Sequence, residues 1–546
     1  VSYVASIFHA RFDLTSEKRY TLSKTTKQLL ENLQDTIQIS IYLDGDLPIS
    51  FYRMKREVND LVEEFTEYSG DKLTYEFINP SNEEDQAQTE KTYKYLTSSE
   101  LVPYTIQEKD KNGKQISRVV FPGAIAINRG RTVSINFLKT NMMASSDQNI
   151  HNAIQNIEYE LINAIRKLSI KQKSSIAFIT GHGELDRNQV ASLSKALEEY
   201  YNVDRVKLDS TVGSLDKYKA IIIAKPRTSF PEVDKFLIDQ YVMKGGRVLW
   251  AIDFVNVPED SLRYERMVLG LPNELNLDDI LFKYGVRINY NVILDNQCAL
   301  IPLNAAPEGS PAQFNPAPWY FHPLMTPPST SPITKNLNVV KAEFASVLDT
   351  VGDGSQNVKK TVLLHTSDYS KVIATPVPVS FDILDQQPNQ FFFNKMSQTV
   401  GVLMEGHFPS VYTNRLLPNV KNALAIKKVE TSEKTAMIVI SDGDIMKNEV
   451  RKLAYDSIPL PLGFDRYTKE TFGNKEFMLN AINYLCDDAG LLNLRSRELK
   501  IRLLNKECVE NERTMWQVIN MVVPLIVLIF AGIIVAIVRK RIYKKN

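Results

Sequence analysis

The feature that most constrains this chain is a long uncharged apolar run near its C-terminal end. Residues 516–538 read WQVINMVVPLIVLIFAGIIVAIV and contain no charged side chain. A helix of this length is about 34 Å long, because each residue adds about 1.5 Å, and a hydrocarbon core is about 30 Å thick. Trp516 suits the membrane interface, and Pro524 is tolerated in a membrane helix. The sequence therefore predicts a transmembrane helix over 516–538.

The charges on either side of this helix predict its orientation. The tail, 539–546, has five Lys and Arg residues and no acid, whereas the preceding stalk, 487–515, ends in a net negative flank around Glu507, Glu510 and Glu512. Excess Lys and Arg mark the cytoplasmic side. We therefore expect a cytoplasmic tail, a helix in the inner (cytoplasmic) membrane, and the bulk of the chain in the periplasm.

The first residues are apolar as well. VSYVASIF precedes His9 and Arg11, and we interpret residues 1–11 as the end of a clipped N-terminal membrane helix that would export the following chain. A processed signal peptide and an ordinary apolar N-terminus are the alternatives.

Charge and cysteine content argue against some functional classes. The formal net charge is +1, which gives no electrostatic reason to expect nucleic acid as a partner. Cys298, Cys486 and Cys508 have neither the spacing of a metal site nor that of a disulfide framework. We expect no metal and no cofactor, and stability that comes from apolar cores.

Residues 12–170 are predicted to form a first α/β domain. The apolar face through Met54, Val58 and Val62 indicates a helix, and Gly70 ends it. The predicted elements are a strand at 36–43, a helix at 53–68, a strand at 72–80, a helix at 84–96, a hairpin with its turn at 111–114 and further antiparallel strands, and a helix at 152–168. This order resembles a thioredoxin-like fold, but without C-x-x-C the likeness is architectural.

Residues 171–486 alternate between apolar strands and helices, which predicts a doubly wound α/β domain. Pro231 opens one helix and Gly245 stops it. The predicted strands are 174–180, 203–209, 219–226, 247–253, 287–295, 358–367, 398–406 and 434–444, and the predicted helices are 188–201, 231–243, 277–284 and 475–486. Residues 300–335 interrupt this rhythm with many prolines, and we expect them to form an exposed insertion.

Acidic and glycine-bearing turns follow three of these strands. In an open parallel sheet, ligands bind beyond the carboxyl ends of the strands. If the three strands are neighbours, the turns meet at one edge and form a ligand pocket. The alternative is structural, since glycines permit tight turns and acids cap helices. The candidate pocket residues are His182, Glu184, Asp253, Asp442 and Asp444.

Catalytic motifs are missing from the sequence. His182 and Glu184 could form an acid–base pair, but no G-x-S-x-G motif or strand-following cysteine supplies a nucleophile. The sequence also lacks a phosphate-binding G-x-x-x-x-G-K-[ST] loop and an H-E-x-x-H zinc motif. We therefore expect a protein that is not an enzyme and has no catalytic residues.

Four segments resemble one known family. FDLTSEKRYTLS (12–23), IAFITGHGE (176–184), KGGRVLWAIDFV (244–255) and the terminal membrane helix are similar to bacterial ABC-transporter auxiliary proteins, above all the gliding-motility-associated GldG family of Bacteroidetes. The resemblance implies a flavodoxin/glutamine-amidotransferase-like α/β domain without its nucleophile. It also implies a substrate-binding-like subunit that acts with a separate ABC permease and a separate ABC ATPase.

Two other functions stay open on the sequence. One is a stand-alone, membrane-anchored periplasmic binder of peptide or glycan, and the other is a degenerate hydrolase. Under the transporter hypothesis, small residues on the membrane helix would pack against the permease. Ala531, Gly532 and Ala536 form that predicted packing surface.

Overall fold

The computed structural model describes residues 21–81, 86–109, 115–304, 306, 310–311, 313–352, 358–384, 392–420, 428–452, 457–487, 490–496 and 506–543. The chain divides into two compact units, of which one is Tyr20–Arg497 and the other joins Val1–Arg19 to Glu498–Asn546. The predicted N-terminal helix end at 1–11, most of FDLTSEKRYTLS, the hairpin turn at 111–114 and the last residues of the basic tail lie outside the described residues.

The first part of Tyr20–Arg497 is built around a four-stranded sheet. Its helices are α1 (Lys24–Glu31), α2 (Ile49–Ser69), α3 (Gln86–Ser98) and α4 (Ser146–Ser169). Its strands are β1 (Ile37–Ile41), β2 (Leu73–Phe77), β3 (Tyr104–Lys109), β4 (Gln115–Val120), β5 (Gly123–Asn128) and β6 (Arg131–Asn136). The sheet order is β2-β1-β5-β6, in which only β1 and β2 are parallel, while β3 and β4 form a separate hairpin.

Helices cover both faces of this sheet. Ala124 and Ala126 of β5 belong to the apolar core that α2 and α4 complete, whereas Ile125 between them packs with Leu96 of α3. This alternation follows from the period of two in a strand. The predicted order of elements from the strand at 36–43 to the helix at 152–168 is observed for the described residues, whereas α1 was not predicted.

The second part contains the larger sheet. Its helices are α5 (Ala191–Glu198), α6 (Glu232–Met243), α7 (Asp278–Tyr284) and α8 (Asn474–Cys486). Its first strands are β7 (Ser175–Thr180), β8 (Asn202–Lys207), β9 (Ala220–Ala224), β10 (Arg247–Ala251), β11 (Val255–Asn256), β12 (Met267–Pro272), β13 (Val286–Ile288), β14 (Asn291–Asp295), β15 (Cys298–Asn304), β16 (Phe314–Met325) and β17 (Val340–Lys341). The others are β18 (Leu348–Thr350), β19 (Val358–His365), β20 (Ser370–Ala374), β21 (Val377–Ser380), β22 (Thr399–Gly406), β23 (Thr435–Ile440), β24 (Val450–Lys452) and β25 (Ser457–Pro459).

Seven of these strands form one mixed sheet in the order β19-β22-β23-β10-β9-β7-β8. The strands from β23 to β8 run parallel to one another. β22 is antiparallel to β23, and β19 is antiparallel to β22. Ile221 and Ile223 of β9 pack on the side of α6 and α7, whereas Ile222 packs on the side of α5 and α8. Both faces are buried, which explains the continuous apolar runs in the sequence.

The prediction of one strand over 287–295 is wrong. The segment forms β13 and β14, which pair antiparallel with β18 and β20 outside the seven-stranded sheet. Asn289 and Tyr290 between them break the ladder. Alternating apolar residues indicate a strand but do not indicate which sheet it joins.

The prediction of an exposed insertion over 300–335 is only partly right, because the described residues of 310–316 are exposed whereas 319–323 are buried. β15 and β16 form a hairpin, and Trp319 and Phe321 are 0% and 1% exposed in an apolar core. Pro316 and Pro318 fall at alternate positions of the ladder, opposite Pro302 and Leu300. Alternate positions of an antiparallel ladder need no N–H donor, so a proline-rich strand can pair there.

The predicted stalk is divided between the two units. Leu491, Leu492 and Leu494 of the 3-10 helix Leu491–Ser496 pack into the core of the four-stranded sheet, so this stretch is part of the folded body. In the other unit, α9 (Lys506–Tyr543) contains a 26-residue stretch, Met515–Lys540, that is long and apolar enough to cross a membrane. Its side chains are exposed, as a lipid-facing helix requires.

Candidate functional site

Four loops meet at the carboxyl edge of the seven-stranded sheet. They follow β7, β9, β10 and β23, which are neighbours in the sheet. Backbone bonds extend the pairing into the loops: the amides of Arg227 and Thr228 both donate to the carbonyl of His182, at 2.8 and 2.9 Å. The turns that the sequence singled out are therefore brought to one edge, together with a loop after β9 that it did not single out.

His182 lies in a buried network with two carboxylates. Its side chain is 5% exposed, Nδ1 is 2.9 Å from Oε1 of Glu184, and Nε2 is 2.9 Å from Oδ2 of Asp234. The ring stacks on Phe230 with 3.8 Å between centroids. Asp234 comes from the first turn of α6, which sequence reasoning missed.

The two carboxylates of this network keep the His182 ring protonated. Burial alone would lower the pKa of His182, but the hydrogen bonds to Asp234 and Glu184 outweigh it and raise the pKa from 6.5 to about 9. The ring is therefore a cation at neutral pH and donates from both nitrogens. With both nitrogens taken, it has no site left to accept a proton from a nucleophile.

The second group at the edge surrounds Lys225, which follows β9. Its Nζ contacts Oδ2 of Asp253 at 2.9 Å and also Oδ2 of Asp444. Asp442 accepts from the backbone amides of Asp444 and Glu343, at 2.8 and 3.0 Å. One ammonium thus lies among three buried carboxylates, and sequence reasoning missed it although a lysine directly after an apolar strand was visible.

The three carboxyl groups differ in proton affinity. Burial and the neighbouring carboxylates Asp253 and Asp444 raise the pKa of Asp442 well above its usual range. Burial acts on Asp444 in the same direction, but Lys225 and Lys447 outweigh it and lower its pKa. The group therefore favours a proton on Asp442 and a charge on Asp444.

Glycine is required where two of the loops touch. A Cβ on Gly443 would lie 2.5 Å from Cβ of Lys225, and Lys225 itself has a φ of 52°. The amide of Gly443 donates to Asp253. The close approach of loops that positions the ammonium thus depends on the missing side chain.

Little open space adjoins these groups. Beside Asp444, Lys447 and Glu343 lies a cavity of about 40 Å³, which has room for a few waters at most. A groove of about 420 Å³ lies beside Phe254 and Tyr290 and includes none of the predicted pocket residues. The predicted residues lie in two groups, His182 with Glu184 and Asp253 with Asp442 and Asp444. A ligand pocket among them stays a prediction.

The predicted membrane-packing surface lies on α9. Ala531, Gly532 and Ala536 are within the apolar stretch, and a Cβ on Gly532 would meet no atom within 4 Å among the described residues. Residues four apart share a helix face. A packing role for this face also stays a prediction.

Comparisons with known proteins extend this description. An uncharacterized protein of Borreliella burgdorferi is 22% identical over 546 residues, which cover 98% of this chain and 94% of that protein. The solved mmIFT52 N-terminal domain is 14% identical with a TM-score of 0.30, covering 57% of this chain and 98% of its own, a likeness too weak to define the fold.

Two family models match the chain. Residues 16–127 match a domain of unknown function. Residues 173–481, more than half of the chain, match the auxiliary family described as an ABC-type uncharacterized transport system. The matched range contains the seven-stranded sheet and both buried networks. The protein therefore belongs to the auxiliary-protein family of this ABC-type transport system.

Proposed function

We propose that this protein is a non-catalytic, substrate-binding-like subunit of a bacterial ABC transporter that acts with a separate permease and a separate ATPase. Membership of the ABC transport auxiliary family over residues 173–481 carries the proposal. The apolar stretch Met515–Lys540 supports it, because an anchor of this length holds the subunit in the same membrane as a permease.

The chemistry of the sheet edge supports a non-catalytic role. Both ring nitrogens of His182 are bound by carboxylates, and Lys225 is held by Asp253 and Asp444. The sequence contains no phosphate-binding loop, so ATP hydrolysis falls to another subunit in this proposal. An edge whose ionisable side chains already bind one another suits a scaffold or binding surface better than a reaction centre.

The flanking charges support a location in the inner membrane. The Lys and Arg residues of 539–546 support a cytoplasmic tail under the positive-inside rule, with the bulk of the chain in the periplasm.

A role in gliding motility is the most specific part of the proposal. It depends on the resemblance of FDLTSEKRYTLS and TGHGE to the gliding-associated proteins.

The finer fold and domain assignments are proposals as well. The sheet order β2-β1-β5-β6, with only β1 and β2 parallel, supports a thioredoxin-like domain over 12–170. The parallel strands covered by helices on both faces support a flavodoxin- or amidotransferase-like domain over 171–486. The separate antiparallel ladders of β11 to β18, β20 and β21 would then be additions to that domain.

Co-purification from native membranes tests the function. We expect a permease and an ATPase to accompany the tagged full-length protein, as identified by mass spectrometry. Gly532→Leu should reduce their recovery, because the new side chain fills the small-residue face. A Cβ at this position would meet no atom within 4 Å among the described residues. Ile534→Leu is the matched control, since position 534 faces roughly the opposite side of the helix.

Each other outcome has a defined meaning. Undiminished recovery with Gly532→Leu would show that the membrane helix does not hold the complex. Absence of any permease or ATPase with the wild-type protein would contradict the transporter role and favour the stand-alone periplasmic binder. Loss of motility without loss of export in a deletion strain would support the gliding assignment.

A further inference from the structure

Three side chains outside the predicted pocket bring their ligand atoms together. Glu259 begins a 3-10 helix after β11, His322 lies in β16, and Glu343 follows β17. One carboxylate oxygen of each glutamate and one ring nitrogen of the histidine all lie within 4.8 Å of one another. The three segments are distant in sequence, so the group exists only through the fold.

His322 has a nitrogen whose bonding capacity is unused. The residue is 5% exposed, and its Nε2 has no hydrogen-bond partner of acceptable geometry among the described residues. Oε1 of Glu259 is 3.1 Å away but out of line for an N–H donor. A buried polar atom without a partner is costly. A cation between the nitrogen and the carboxylates would remove that cost.

The surroundings hold the ring and the carboxylates in place. Trp319 and Phe344 contact the His322 ring edge to face, with interplanar angles of 84° and 89°. Nε1 of Trp319 donates to Oε1 of Glu259 at 3.0 Å, and Lys341 contacts Oε1 of Glu343 at 2.9 Å. Each carboxylate has a second oxygen, so these supporting contacts persist when a metal binds.

We propose that Glu259, His322 and Glu343 form a binding site for a divalent transition-metal ion, with Zn²⁺ the best fit. One imidazole and two carboxylates suit this class of ion better than Mg²⁺ or Ca²⁺, which prefer oxygen ligands alone. A tetrahedral Zn²⁺ holds its ligand atoms about 3.4 Å apart. The three ligand atoms lie within 4.8 Å of one another, so side-chain shifts of about 1 Å bring them to this spacing, and water supplies the fourth ligand.

The other carboxylate group at the sheet edge does not compete for the ion. Asp253, Asp442 and Asp444 also have oxygens within 4.8 Å of one another, but Lys225 contacts two of them directly. That group already contains its cation. At the proposed site Glu259 is 38% exposed at its side chain, which gives an ion access from solvent.

Zn²⁺ binding to the full-length protein in detergent tests the proposal. After treatment with EDTA and removal of the chelator, we expect isothermal titration with ZnCl₂ to show one Zn²⁺ per chain. Glu259→Gln should weaken binding about tenfold or more, because it replaces an anionic ligand by a neutral amide that still accepts from Trp319. His322→Gln should have at least the same effect.

The matched control is His365→Gln. His365 bonds the carbonyl of Thr366 through Nδ1 and belongs to neither carboxylate group, so its variant should bind Zn²⁺ as the wild type does. Glu259→Gln changes a partly exposed side chain and keeps the test valid if the buried His322→Gln variant fails to fold. No Zn²⁺ binding by the wild type, or equal affinity in wild type and Glu259→Gln, would overturn the proposal. Equal affinity for MgCl₂ and ZnCl₂ would overturn the choice of a transition metal.

Discussion

Two carboxylate groups lie close together in the second part of the molecule, and they are neutralised in different ways. Around Lys225, two of three buried aspartates contact an ammonium that the chain itself supplies. At Glu259 and Glu343, the third member is a histidine whose buried Nε2 has no hydrogen-bond partner within the described part of the chain. The two groups have similar spacing between ligand atoms, so spacing alone does not identify a metal site. What distinguishes them is that Lys225 contacts two carboxylates of its group at once, whereas Lys341 contacts Glu343 of the other group from one side.

The backbone connects the two groups. The amide of Glu343 donates to Asp442 at 3.0 Å, and Lys447 lies 2.9 Å from Asp444 and 4.0 Å from Glu343. A change in one group therefore reaches the other through a single peptide or a single side chain. Variants that remove a charge from one group at a time can separate the contributions of the two groups to the free energy of unfolding.

Lys225→Met should have the largest effect on stability. It leaves Asp253 and Asp444 buried without their cation, and breaking a buried ion pair in this way costs about 3–5 kcal/mol. We expect a large fall in the melting temperature of the full-length protein, measured by circular dichroism in detergent. Lys447→Met is the control, because its side chain is 34% exposed while it contacts the same Asp444, so it should cost less.

A Lys225→Met variant as stable as the wild type would show that the aspartates take up protons at no net cost. The contrast between the group that contains Lys225 and the group of Glu259, His322 and Glu343 would then fail. A larger effect of Lys447→Met than of Lys225→Met would move the centre of the network to the exposed lysine.

Much of the carboxyl edge of the seven-stranded sheet could be predicted from the sequence. Strands β7, β10 and β23 are short apolar runs followed closely by glycine or an acid, and β9 is one followed by Lys225. The carboxyl ends of these parallel neighbours share one edge. The positions of His182, Asp253 and Asp442 at that edge follow from this rule. It does not predict their partners, because Asp234 reaches His182 from the first turn of a helix 52 residues away in sequence.

The group formed by Glu259, His322 and Glu343 could not be predicted in this way. His322 lies in a proline-rich segment that gave no strand signal, and Glu259 lies in a connection after a two-residue strand. Glu343 reaches the group because β17 pairs with β16. Antiparallel ladders of this kind carry no rule that brings particular loop ends together, so only the fold shows the cluster.

Replacing His182 should have an intermediate effect on the free energy of unfolding, and this effect should depend on pH. The pKa of His182 is raised from 6.5 to about 9 in the folded protein. The stabilisation by the protonated ring is therefore complete below about pH 6.5 and is lost as pH rises through about 9. We expect the free energy of unfolding to fall by about 1–3 kcal/mol more in the wild type than in His182→Gln over this range.

Urea denaturation at several pH values between 6 and 9.5 measures this difference. Subtracting the His182→Gln curve removes the titration of all other groups that both proteins share. Parallel curves for the two proteins would mean that His182 is neutral in the folded state, and that its carboxylate partners do not hold a cation as Asp253 and Asp444 hold Lys225.

The smallest effect should come from Glu259→Gln in protein kept free of metal. The side chain is 38% exposed, its amide oxygen can still accept from Trp319, and an exposed charge contributes little to stability, about 0–1 kcal/mol. Removing the charge also reduces repulsion from Glu343. We therefore expect a melting temperature close to that of the wild type in EDTA, whereas Lys225→Met should remain strongly destabilised in the same buffer.

Addition of ZnCl₂ should then raise the melting temperature of the wild type above that of Glu259→Gln, because a ligand that binds only the folded state stabilises it. A large loss of stability in EDTA would instead show that Glu259 is already neutralised within the chain, and the two carboxylate groups would then be equivalent.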